Sequence, residues 1–203
     1  MNFNLYSTLS QLVPGFILFI IVVHVLKLDI NAIPALPSTA VAYVLGYFIN
    51  AIGGWAENMM FKSWGGEPAT QLLEGKHCGR IKFSELDKLK RLVGENVENK
   101  ELFQTTMRLA NGNDLVKEMN ASYIFSRSIF VAAVVGYLAL LYVYFNNSLF
   151  HIASITIIVM AWYRAKERGF YYVKEVLRTS INILEKENQF QPMQNSEILQ
   201  KIA

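Results

Sequence analysis

Residues 38–61 read STAVAYVLGYFINAIGGWAENMMF, with no charge before Glu57. The run is longer than the roughly 20 residues a helix needs to cross the hydrocarbon core of a bilayer. Stepping by four from Ser38 meets Ala42, Gly46, Asn50, Gly54 and Asn58, every one small or polar. In a soluble core helix such a stripe is an oddity. A membrane helix has a use for it, because lipid gives no hydrophobic drive to helix pairing and small residues let two backbones approach. The contact can lie within one subunit, between subunits, or along a pore. Asn50 in mid-run and Glu57 near one end suit a polar seam or a conduit, since polar groups at that depth face protein or water.

Three further apolar runs flank this one. Leu12 to Leu28 is interrupted only by His24 and Lys27, apart from Pro14 and Gly15 at its start. Ile129 to Phe145 and Leu149 to Tyr163 follow, separated by Asn146, Asn147 and Ser148 as in a tight helical hairpin. The last two are short for a bilayer, and Tyr142, Tyr144, Trp162 and Tyr163 extend them with an interfacial aromatic belt. The whole chain is 203 residues, 53% hydrophobic and 17% charged, against about 25% charged in soluble domains. Together these features predict an all-α integral membrane protein with four transmembrane helices in two hairpins, embedded in the lipid bilayer.

Charge placement orients the spans. All of the 19 Lys and Arg residues except Lys27 fall in residues 62–128 and 164–203. Positive charge collects in cytoplasmic loops, which predicts cytoplasmic N- and C-termini. Met1 to Ser10 has no basic residue, unlike a signal peptide, so the first apolar run is expected to be retained. The expected organisation is a first transmembrane hairpin (1–61), a cytoplasmic helical segment (62–127), a second hairpin (128–163) and a cytoplasmic C-terminal helix and tail (164–203).

Punctuation in the cytoplasmic parts is clear. Pro37 suits a helix start, with Ser38 or Thr39 as cap. Gly65-Gly66 marks a break after the second span. FSELDKLKRLVG predicts a helix capped by Ser84 and stopped by Gly94. NKELFQTTMRLANGN predicts another that ends at Asn111-Gly112, and Asn113 or Asp114 caps a helix running into the third span. The segment after Tyr163 keeps helical spacing through Phe170, Val173, Leu177, Ile181 and Leu184, while the Gln/Asn-rich stretch from Asn188 is expected to be weakly structured.

Chemistry-bearing motifs are sparse. His24 and His151 fall near the same outer surface, as a pair that can titrate near neutral pH or simply as two headgroup-wetted side chains. Ala132 and Gly136, with Ser128, echo the small stripe on the third span. His77 and Cys78 are too few for a zinc site, which needs three or four ligands, and the single cysteine excludes an intrachain disulfide. There is no GxSxG, P-loop, HExxH or GxGxxG. Asp occurs only at 29, 87 and 114, none paired for acid–base work. The Lys88, Lys90, Arg91 group is interspersed with Glu85, Asp87 and Glu95, as on a solvated helix face, so direct nucleic-acid binding is not expected. Neither an enzyme activity nor a cofactor is predicted.

In LVPGFIL (12–18), GYFINAIGGW (46–55), WGGEPATQLLEGK (64–76) and RAKERGFYYVKEVLR (164–178), and in its size and span order, the chain resembles the membrane accessory proteins of type VI-B CRISPR systems. That resemblance implies a bacterial inner-membrane location and a role in antiphage defence, as a modulator of an RNA-guided RNA nuclease or as a membrane-permeabilising effector. One subgroup of those proteins carries an Arg-to-His nuclease-like motif, which is missing after Arg80 and Arg127, so no residue is carried over as catalytic. The resulting expectation is a homo-oligomer that forms or gates a membrane opening; the alternative is a monomeric membrane-tethered adaptor without conductance.

Overall fold

The structure, a computed structural model, describes residues 5–30, 33–76, 81–93 and 97–202, with side chains within 8–186. His77, Cys78, Arg80 and the expected stop at Gly94 lie outside the described residues. The chain is all-helical: α1 (Leu5–Val25), α2 (Ala35–Lys62), α3 (Pro68–Leu73), α4 (Leu86–Val93), α5 (Asn99–Ala110), α6 (Asp114–Leu141) and α7 (Ser148–Ile202). Stretches of α1, α2, α6 and α7 are long and apolar enough to cross a membrane, giving four candidate spans. Two compact units result, residues 1–63 with 118–169 and residues 64–117 with 170–203.

Helix ends follow local chemistry. α2 starts at Ala35, earlier than the cap expected at Ser38 or Thr39, and Pro37 sits in its first turn. A proline is tolerated there because its missing N–H would have no intrahelical acceptor. Ser38 Oγ accordingly turns back to the Pro34 and Ala35 carbonyls, at 2.8 and 2.9 Å, and Thr39 Oγ1 to Ala35 at 2.9 Å. α1 ends in a Schellman arrangement, with Leu28 N–H on the Val23 carbonyl and Lys27 N–H on that of His24. Lys27 takes the left-handed conformation, φ 54°, that glycine usually supplies. α6 is capped as expected by Asn113, whose Oδ1 accepts from the N–H groups of Leu115 and Val116 at 2.9 and 3.2 Å. It ends at Leu141, four residues short of the expected Phe145, because residues 142–147 turn tightly into α7. Asn147 Oδ1 then caps α7 through the Phe150 N–H. α7 stays helical to Ile202, through the stretch expected to be weakly structured.

In the first unit, α1 and α2 make an antiparallel pair without intervening side chains. A Cβ on Gly15 would lie 1.7 Å from the Ala42 carbonyl oxygen, and one on Gly46 would lie 1.8 Å from that of Gln11. Phe19, Val23 and Ala42 form a buried cluster on one side of this seam, with Leu12, Phe16 and Leu45 around it. Ile49 of α2 packs on Val131 and Ala132 of α6, and a Cβ on Gly136 would press on the Ile21 side chain. The outward faces are apolar: Tyr47, Phe48, Trp55 and Met59 on α2 and Leu149, Ile152, Ile157 and Met160 on α7 are all exposed. In the most apolar stretch of α7 only 6% of the residues are buried. Large side chains turned outward are what a lipid-facing surface requires.

The second unit has an ordinary amphipathic core. Ala110, Val116 and Val176 are buried together, with Phe103, Met107 and Tyr172 packed on them. Ser180 Oγ, fully buried, is within 2.8 Å of the carbonyls of both Thr106 and Val176, tying α5 to α7. Lys88 and Glu185 pair at 2.7 Å across α4 and α7. Gly65 and Gly66 take φ of 93° and 122°, and this left-handed turn lets Gln71 Nε2 donate to the Trp64 carbonyl at 2.6 Å.

Candidate functional site: a charged seam between apolar helices

The stripe read in the sequence divides between two faces. Four residues carry a helix about 40° past a full turn, so a row of every fourth residue winds around the axis. Ala42 and Gly46 are buried, Ser38 and Asn50 half-buried, and Gly54 and Asn58 exposed. The buried face follows Ala42, Gly46, Ile49, Gly53 and Met60 instead. Ala42 and Gly46 meet α1, whereas nothing lies within 4 Å of a Cβ placed on Gly54. On α6, Ser128 and Ala132 are fully buried.

Asn50, Gly53 and Glu57 are spaced three and four apart, which puts them on one face of α2. Opposite them stands Arg127 of α6. Its Nη1 donates to Glu57 Oε2 at 2.5 Å and its Nη2 to Asn50 Oδ1 at 3.0 Å. A Cβ on Gly53 would come within 3.2 Å of Arg127 Cγ and Nε, so the glycine makes room for the guanidinium stem. One helical turn before Arg127, the Tyr123 ring lies with its centroid 5.4 Å from the guanidinium carbon. The arginine side chain is 11% exposed and the glutamate 36%. An isolated charge in the apolar part of a span is expensive. Here the two charges cancel, an amide completes the fork, and an aromatic face covers the cation. The sequence points to Asn50 and Glu57 but puts Arg127 at the end of the expected cytoplasmic segment, 62–127. The available signal was that Arg127 and Glu57 close their apolar runs at the same end.

A second cation meets α2 at its C-terminus. Lys166 of α7 is fully buried, and its Nζ donates to Ser63 Oγ at 2.6 Å while lying 3.2 Å from the centroid of the Trp162 ring. Ser63 is the C-cap of α2, where exposed carbonyls favour positive charge. Beside it, a Cβ on Gly169 would sit 2.5 Å from Phe61 Cζ. α2 is therefore held by three helices through three different contacts: backbone packing to α1, an ion pair to α6 and a buried ammonium from α7.

His24 and His151 are each engaged by other groups within one aromatic cluster. His24 Nε2 is 2.9 Å from Tyr144 Oη, and the two rings stack. His151 Nε2 donates to the Phe145 carbonyl at 2.8 Å. In the neutral ring that leaves Nδ1 to accept from Tyr137 Oη at 3.3 Å. The Phe150 ring packs against Tyr144, Tyr137 and His151. Among the described residues, no group of three His, Cys, Asp or Glu side chains converges as a metal site.

Comparison with known proteins returns no match: no family model, no curated protein and no solved structure is similar to this chain.

Proposed function

We propose that this is a non-enzymatic inner-membrane adaptor, with both termini cytoplasmic, whose helical unit of residues 64–117 and 170–203 binds a soluble partner. The observation that carries this reading is the use of α2 within its own chain. Ala42 and Gly46 are taken by α1, Asn50 and Glu57 by Arg127, and Ser63 by Lys166. Those polar and small positions are spent on closing one four-helix unit. The antiphage role, with an RNA-guided nuclease as partner, rests on the sequence resemblance alone. A second reading, a homo-oligomer that forms or gates an opening, is favoured by the barely buried apolar stretch of α7 and by the open face at Gly54 and Asn58.

Full-length protein reconstituted into dye-loaded vesicles separates the two. The adaptor leaves the dye inside at every protein density, and Gly54→Leu changes nothing. Dye release that rises steeply with protein density and is abolished by Gly54→Leu supports the opening and overturns the adaptor. Phage protection that depends on co-expression of an RNA-guided RNA nuclease tests the defence role; protection unchanged by removal of the chain refutes it.

A further inference from the structure

We propose that the cavity between α1, α6 and α7 in the first unit holds one phospholipid whose headgroup carries a primary ammonium beside its phosphate. The cavity has a volume of about 380 Å³, within the roughly 300–1,000 Å³ range of small-ligand sites. Leu9, Val13, Ala121 and Phe125 supply apolar walls, and Glu118 and Arg168 supply the charges. The two chemistries are sorted along the helices. Leu9 and Val13 belong to the first turns of the α1 span, which begins at Thr8. Arg168 lies one turn beyond Arg164, where the apolar run of α7 stops, and Glu118 lies in the second turn of α6, ahead of its apolar part. Apolar walls toward the span and charges toward its end are the polarity of an amphiphile seated in a bilayer.

The pair of charges narrows the headgroup. Arg164 is already engaged by Glu167 at 2.6 Å. Arg168 and Glu118 have no ion-pair partner among the described residues. A guanidinium matches a phosphate, with several N–H donors in a fixed fork. A purely anionic headgroup would satisfy Arg168 but be repelled by Glu118. A phosphate next to a primary ammonium satisfies both, because the carboxylate accepts the ammonium N–H groups. A quaternary ammonium has no N–H to give. The inference rests on the bilayer embedding of the unit, which sidedness labelling tests separately.

Native mass spectrometry of delipidated full-length protein, offered phosphatidylethanolamine, phosphatidylglycerol or phosphatidylcholine in mixed micelles, reads the site directly. One phosphatidylethanolamine is expected to stay bound, about fivefold in preference to the other two, the effect of one well-placed charge contact. Arg168→Gln should lower its retention by a similar factor. Glu118→Gln should erase the preference over phosphatidylglycerol. Val13→Phe, which fills the apolar end, should weaken all three lipids alike. Equal binding of the three lipids by the wild type overturns the proposal. So does an unchanged preference in Arg168→Gln and Glu118→Gln proteins that unfold at the wild-type temperature. If Arg168→Gln fails to fold, Glu118→Gln and Val13→Phe, on different helices, decide it.

Discussion

At the scale of single residues, the decisive contact is Arg127 with Glu57. Removing one member of a buried pair leaves the other charge without compensation, at a cost of order 3 kcal/mol when both are well shielded. Arg127 is the more deeply buried of the two. Arg127→Ala strands a carboxylate that still reaches solvent, whereas Glu57→Gln keeps a neutral acceptor for the arginine but strands its charge beside apolar helices. Each single variant is expected to lower stability in detergent by about 2–3 kcal/mol. The Arg127→Met, Glu57→Met double variant should return to within about 1 kcal/mol of the wild type, since an apolar pair of similar volume often replaces an ion pair without loss. Unfolding of the four proteins, analysed as a double-mutant cycle, measures the coupling. Additive losses would mean that the pair does not hold α6 to α2. The pairing was hidden in the sequence because 70 residues separate its members, and periodicity speaks only of neighbours on one helix.

At the scale of helices, the α1–α2 seam depends on glycine for a different reason than a turn does. Both glycines are helical, where alanine would ordinarily be favoured by up to about 1 kcal/mol. At Gly46 that preference loses, because the new Cβ would meet the Gln11 backbone carbonyl, which has no rotamer to give. Gly46→Ala is expected to cost about 2 kcal/mol or more. Gly54→Ala meets open space and is expected to be neutral or slightly stabilising. Detergent-resistant helicity on heating checks the contrast, and equal behaviour of the two variants would show that the seam is not the close contact. The four apolar helices, the Asn113 cap, the Gly65-Gly66 break and the end of α5 near Asn111 were legible in the sequence, since each is set by local chemistry. The full stripe from Ser38 to Asn58 was not, because a period of four and a helix of 3.6 residues per turn part company after about three steps. The continuation of α7 through a polar tail was not legible either, as amide-rich composition says little about helix length.

At the scale of the whole chain, the asymmetry of Lys and Arg makes the orientation testable in intact cells. All the basic residues but Lys27 lie in the segments assigned to the cytoplasm, and short loops carry most of the topological signal. The α6–α7 turn should therefore face outward together with the α1–α2 connection. A Cys78→Ser background removes the one native thiol. In it, Asn146→Cys places a single thiol in the exposed turn after α6, and Gln104→Cys places one on the exposed face of α5. A membrane-impermeant maleimide added to intact cells should label position 146 and leave position 104 unlabelled until the membrane is opened. Neither substitution touches the charged seam, so loss of labelling cannot be blamed on its disruption. The reverse pattern would invert the protein and put the helical unit of residues 64–117 and 170–203 outside, where a soluble nuclease of the cell interior has no access. Labelling of both positions in intact cells would mean that α6, the one candidate span between them, does not cross the membrane, and the adaptor reading would fall with the topology.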